Sequence, residues 1–90
     1  MAVIEREAKI VNTLGIHARP AAEFVKVANR FTSSIQVIKD DVQVNGKSIL
    51  GVMMLAAERG SSIRIRADGD DAAAAVDALV HLVSEGFGET

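Results

Sequence analysis

Ninety residues, with 10 Lys and Arg against 12 Asp and Glu and a formal net charge of -2, leave room for one domain spanning 1–90 and exclude a multidomain enzyme. The absence of cysteine excludes a disulfide framework, a thiolate metal site and a cysteine nucleophile, while three Phe with no Tyr or Trp supply neither the charge nor the stacking surface of a nucleic-acid binder. No apolar run reaches the roughly 18 residues of a membrane span, and Glu5 and Glu7 do not suit a signal peptide, so a cytoplasmic protein without membrane insertion is expected.

Residues 3 to 11 alternate, with Ile4, Ala8 and Ile10 on one side and Glu5, Glu7 and Lys9 on the other, the period of a half-buried strand in which Arg6 is the misfit. Asn12-Thr13-Leu14-Gly15-Ile16 breaks the pattern, and Pro20 sits where a first helical turn tolerates a missing N–H. Ala21, Phe24, Val25, Ala28 and Phe31 then make the apolar stripe of a helix that ends near Arg30. Two β-branched runs, Ser33 to Lys39 and Val42 to Val44, joined by Asp40-Asp41, predict a hairpin. After the Asn45-Gly46 turn, Ser48 to Leu55 is too apolar for a solvated loop and predicts a short helix, closed by Glu58-Arg59-Gly60-Ser61. Ile63, Ile65 and Ala67 alternate with Arg64 and Arg66 in a further strand, and Asp68 to Asp71 turns the chain. Val76, Leu79, Val80 and Val83 define the last helix, with Asp70 or Asp71 as N-cap and Gly86 as its stop.

The order is therefore βαββαβα. Four mostly alternating strands call for a sheet with one wet face, antiparallel pairing and all helices on the other face, an α+β protein. Strand order does not follow from these patterns, and a ferredoxin-like arrangement has a similar element order.

The chemistry concentrates at His17. An imidazole just before a helix adjoins unpaired backbone N–H groups and the positive end of the helix dipole, a place that holds anions. A phosphoryl group on that ring can accept from the N–H groups of the first turn, at Ala18 and Arg19, and the Arg19 guanidinium adds a planar fork suited to phosphate. Gly15 permits the close approach of the chain.

The run Gly15-Ile16-His17-Ala18-Arg19-Pro20-Ala21 resembles the active-site signature of the HPr family, the histidine-containing phosphocarriers of the bacterial phosphotransferase system. Val44-Asn45-Gly46-Lys47-Ser48-Ile49-Leu50-Gly51-Val52-Met53 resembles the family's second signature, around a regulatory serine, so the resemblance covers nearly the whole chain. It implies the open-faced β-sandwich, a four-stranded antiparallel sheet with three helices on one face. It further implies that His17 takes a phosphoryl group on Nδ1 from phosphorylated Enzyme I, charged by phosphoenolpyruvate, and passes it to a histidine of an enzyme IIA domain. Such a carrier has no turnover of its own, works as a monomer and needs neither metal nor cofactor. Ser48 becomes the regulatory site, and an HPr kinase/phosphorylase and transcriptional regulators become further partners. Met53 to Ala57 and the ending Ser84 to Glu89 also resemble the nitrogen-related branch, NPr, whose partners regulate rather than transport sugar.

The short helix carries more apolar surface than it can bury inward, so Ile49, Leu50, Met53 and Met54, with Ala22 and Lys26 one and two turns beyond the site, are expected to form the partner interface. The acidic balance rests largely on Glu58, Asp68, Asp70, Asp71, Glu85 and Glu89, which the sequence spacing puts away from both signatures. His81 lacks a second ligand and reads as a surface residue of the last helix. Gly46-Lys47-Ser48 lacks the upstream glycine of a nucleotide loop. Two other classes fit less well: an interaction module working through Ser48 does not explain His17 beside Arg19, and a ligand-sensing ferredoxin-like domain lacks a glycine-rich effector loop.

Overall fold

A computed structural model describes residues 2–89. The elements are β1 (Ala2–Lys9), α1 (Ala18–Ala28), β2 (Ser34–Lys39), β3 (Val42–Asn45), α2 (Ile49–Met54), β4 (Ser62–Gly69) and α3 (Ala72–Ser84), followed by a 3₁₀ turn at Gly86–Gly88. The strands form one antiparallel sheet in the order β1-β4-β2-β3. The strand that the sequence orders last thus lies between the first two. Its alternation explains the position: Ile63, Ile65, Ala67 and Gly69 are buried while Ser62, Arg64, Arg66 and Asp68 are exposed. One sheet face is covered by the helices and the other is open, as the alternation predicts for an α+β protein, and the whole is the open-faced sandwich that the family resemblance implies.

On the open face Glu5 stands opposite Arg66 and Glu7 opposite Arg64, and Arg64 Nη1 also reaches Glu5 Oε2 at 3.4 Å. Ile38 shares that face by alternation yet is buried, with Arg64 and Gln43 as its cross-strand partners. The core on the helical side gathers Phe24 of α1, Ile35 and Val37 of β2, Val52 of α2, Ile63 and Ile65 of β4, and Val76, Leu79 and Val83 of α3, with Ile10 from the loop after β1. Arg6 points to the helical side as its spacing demands, but β1 is an edge strand, and the guanidinium reaches round to an ion pair with Asp77 of α3. Among the described residues no helix is long and apolar enough to cross a membrane.

Several boundaries differ from the sequence reading. The first strand ends at Lys9, because Ile10 already bonds to the turn before β4, donating to Ser61 O and accepting from Gly60 N. Helix α2 ends at Met54, with Leu55 as its C-cap and Ala56 at φ +50, so Glu58 to Ser61 is a separate turn, with Ser61 N on Glu58 O at 3.0 Å. β4 runs through Asp68 and Gly69, which still pair with β1, leaving only Asp70-Asp71 to turn the chain. A Cβ at Gly69 would lie 2.5 Å from Ser33 Oγ, so only glycine fits there.

Asp71 stands at the N-cap position of α3, but its side chain does not cap that helix. Its carboxylate instead accepts from the backbone N–H groups of Thr32 at 2.8 Å and Ser33 at 2.9 Å, and from both their hydroxyls, tying the α1–β2 connection to the start of α3. The Ser33 hydroxyl first, then the Thr32 N–H, hold the carboxyl pKa down at about 2, against an ordinary 3.8. A carboxylate depressed in the folded state adds stability that is complete above the ordinary value and disappears as pH falls towards about 2. Thermal melts from neutral pH into that acid range are therefore expected to show a falling melting temperature that the Asp71→Asn variant, lower at neutral pH and converging with the unaltered protein in acid, shows much less steeply. Parallel pH profiles would remove Asp71 from the acid response.

Candidate functional site

The connection from β1 to α1 is shaped by backbone constraints before any functional group appears. Gly15 adopts φ +66, and a Cβ there would lie 2.4 Å from Ala57 O, so no other residue fits. Ile16 N donates to that same Ala57 O at 2.8 Å, pinning the loop to the segment that follows α2. His17 is then the extended N-cap residue of α1, and its carbonyl accepts the first helical bond, from Ala21 N at 3.0 Å. Its side chain does not cap the helix. The N–H groups of Ala18 and Arg19 lie in the first turn, where no preceding helical carbonyl can accept them, and Pro20 is the third residue of that turn.

The ring of His17 is turned to the far end of the chain. Its Nε2 lies 3.2 Å from each of the two carboxylate oxygens of Glu89, 72 positions away in sequence. Among the described residues no hydrogen bond involves Nδ1. A carboxylate can only accept, so the neutral ring carries its proton on Nε2 and keeps the Nδ1 lone pair. The side chain of His17 is 38% exposed, open enough for a partner to reach, while that of Glu89 is 18% exposed. Arg19 is exposed and lines a cleft of about 420 Å³ together with Thr13, Leu14, Glu23, Phe87, Gly88 and Glu89.

Glu89 reaches the site because the segment after α3 folds back. Gly86 stops α3 with φ +62, as the sequence indicates, and Phe87, itself at φ +57, is 7% exposed and joins the core. The placement of all the acidic residues away from the signatures is thus wrong for Glu89, and the backbone of Glu58 packs against Gly15 as well. Sequence spacing cannot report a contact made by chain reversal.

Ser48 is the N-cap of α2, its Oγ accepting from Gly51 N at 3.0 Å. The preceding turn is built by Asn45, whose Oδ1 accepts from Lys47 N at 2.9 Å, and Lys47 Nζ donates to Phe31 O beyond α1 at 2.7 Å. The lysine of the Gly-Lys-Ser string is therefore bonded to the protein's own backbone. Only Val52 of α2 is buried; Ile49, Leu50, Met53 and Met54 are exposed, Leu50 and Met54 each at 69%. Ala22 and Lys26 are exposed on α1, which packs against α2. Leu14, at 74% the most exposed large apolar side chain described, lines the Arg19 cleft; in the sequence it stands only as part of the run that breaks the strand alternation.

A family model described as the phosphorylation site of the PTS HPr component matches residues 4–85. The chain belongs to the HPr family, phosphocarriers of the phosphotransferase system. It is 45% identical over 87 residues to the phosphocarrier protein HPr of Neisseria meningitidis serogroup B, covering 97% of this chain and 98% of that one. Against the HPr-like protein Crh of Halalkalibacterium halodurans it is 42% identical, over 92% of this chain and 99% of the relative. The crystal structure of HPr-C-His from Thermoanaerobacter tengcongensis superposes with a TM-score of 0.92 at 46% identity, covering 97% and 98% of the two chains. Both sequence runs that resemble HPr signatures fall within the matched residues; the packing of α1 on α2 brings their helices together, and the bond from Ile16 N to Ala57 O ties the first run to the segment that follows the second.

Proposed function

We propose that this HPr-family chain, acting as a cytoplasmic single-domain carrier over residues 1–90, accepts a phosphoryl group on Nδ1 of His17 from phosphorylated Enzyme I and passes it to a histidine of an enzyme IIA domain. The observation that carries this reading is the orientation of His17: Nε2 faces the Glu89 carboxylate, which leaves Nδ1 as the nucleophile, on the N-cap residue of a helix whose first N–H groups, at Ala18 and Arg19, have no helical acceptor. As the Nδ1 lone pair forms its bond to phosphorus, the donor's P–N bond breaks and that electron pair returns to the donor nitrogen. No proton has to move. The positive charge that develops on the ring is shared with the Nε2–H group facing Glu89, and the negative phosphoryl oxygens meet the helix start and Arg19.

Partner docking is assigned to the exposed apolar surface of Ile49, Leu50, Met53 and Met54, bordered by Ala22 and Lys26. A helix with one buried residue and four large exposed apolar side chains has more use as a contact surface than as core. Ser48 at its head is the proposed regulatory phosphorylation site, for an HPr kinase/phosphorylase; the same surface serves transcriptional regulators, or the partners of the nitrogen-related branch. Incubation with Enzyme I and phosphoenolpyruvate, then with an enzyme IIA domain, tests the reading: acid-labile phosphate should appear on this chain and move on. Transfer that bypasses this chain would refute it.

Arg19 gives a graded test. Arg19→Ala is expected to slow acceptance in stopped-flow transfer by roughly tenfold or more, and Arg19→Lys to recover only part, because a single ammonium does not reproduce the bidentate fork. Equal rates for all three proteins would remove Arg19 from the reaction.

A further inference from the structure

Asn12 is only 4% exposed and lies directly beneath the His17 loop. Its amide nitrogen donates to Gly15 O at 2.7 Å and to Glu89 Oε1 at 3.0 Å. Both neighbours can only accept, which fixes the orientation of the amide. Its Oδ1 is buried with no hydrogen-bond partner among the described residues. Burying an acceptor without a donor lowers stability, so the amide is not explained by packing. Its two N–H groups explain it, because two acceptors from distant parts of the chain converge on one point. A serine or threonine carries one such hydrogen, and an aspartate at neutral pH carries none. The returning segment passes close by: a Cβ at Gly86 would stand 3.6 Å from Asn12 Cβ.

We propose that Asn12 is a positioning residue for phosphoryl transfer, holding Glu89 against His17 Nε2 and the Gly15 carbonyl in its turn. This rests on His17 being the acceptor. One Glu89 oxygen is bonded to Asn12 and both face Nε2, so the carboxylate cannot rotate away from the ring without breaking the amide contact. Ring rotation and tautomer are thereby set from the opposite side to the phosphoryl group. Asn12 never touches the reacting atoms.

The test uses ¹⁵N-labelled full-length protein and potassium phosphoramidate, a small donor that needs no Enzyme I. Nδ1 attacks its phosphorus, the P–N bond breaks, and the already protonated nitrogen leaves as ammonia with the electron pair. Asn12→Ala and Glu89→Ala are each expected to move the His17 ring ¹⁵N signals towards those of a solvent-exposed histidine and to slow phosphorylation roughly tenfold. The double variant should be no slower than the slower of the two single ones, because Asn12 acts on the ring through Glu89. Unchanged ring signals and rate in Asn12→Ala, or effects that multiply towards about a hundredfold in the double variant, would overturn the proposal. Failure of the unaltered protein to gain phosphate on His17 would instead refute the acceptor assignment, and the ring signals would still decide whether Asn12 holds Glu89 in place. Should Asn12→Ala not fold, Asn12→Ser, which keeps a donor for Gly15 O, supports the same comparison.

Discussion

The His17→Ala variant is expected to accept no phosphoryl group from Enzyme I and yet to unfold within a few degrees of the unaltered protein. The side chain is 38% exposed and makes no capping bond to α1, so the helix loses nothing at its N-terminus. Its contact with Glu89 is a partly exposed pair, of the kind that contributes about 1 kcal/mol or less. What disappears is the nucleophile, for which no neighbour can substitute: His81 lies on the exposed side of α3. Intact-mass measurement at neutral pH, where phosphohistidine survives, reads the result. Phosphate persisting on the variant would place the acceptor elsewhere.

Ser48→Asp is expected to fold normally and to accept phosphate from Enzyme I at least about tenfold more slowly. Aspartate is as good an N-cap as serine, and its charge sits favourably at the positive end of α2, so the bond to Gly51 N has a ready replacement. The cost falls on docking, because the new charge stands beside Ile49 and Leu50 and must lose its hydration when a partner covers them. Ser48→Ala separates the two effects: it should lose about 1 kcal/mol of stability with the cap and keep the transfer rate. A Ser48→Asp protein that exchanges phosphate at the unaltered rate over a range of Enzyme I concentrations would reduce Ser48 to a helix cap.

The parts of this molecule legible in the sequence are those fixed by neighbours in the chain. Alternation at Ile63, Ile65 and Ala67 announces β4 and its two faces, and Ser48 announces α2 by capping it. His17 and Arg19 share one short run, so their chemistry is readable together. Position in the sheet is not local: nothing in β4 says that it lies between β1 and β2. Asp71 read as a cap because Asp before a helix usually is one, but the two hydroxyls and two N–H groups at Thr32 and Ser33 offered its carboxylate more bonds. Glu89, and with it the link from Asn12 to His17, escaped for the same reason, since those contacts exist only after Phe87 has been buried and the following segment brought back. The available signal was Phe87 itself, an apolar residue between two glycines beyond the stop of α3, which has to find a core and takes its neighbours with it.

One nitrogen atom, Nδ1 of His17, is the proposed acceptor. After charging by Enzyme I and phosphoenolpyruvate at neutral pH, heteronuclear ³¹P, ¹⁵N and ¹H NMR can assign the phosphorylated atom directly. One phosphoryl group per chain, on Nδ1 of His17 with the ring proton retained on Nε2, is the predicted result. Phosphate on Nε2, on His81, or on no histidine at all would contradict it.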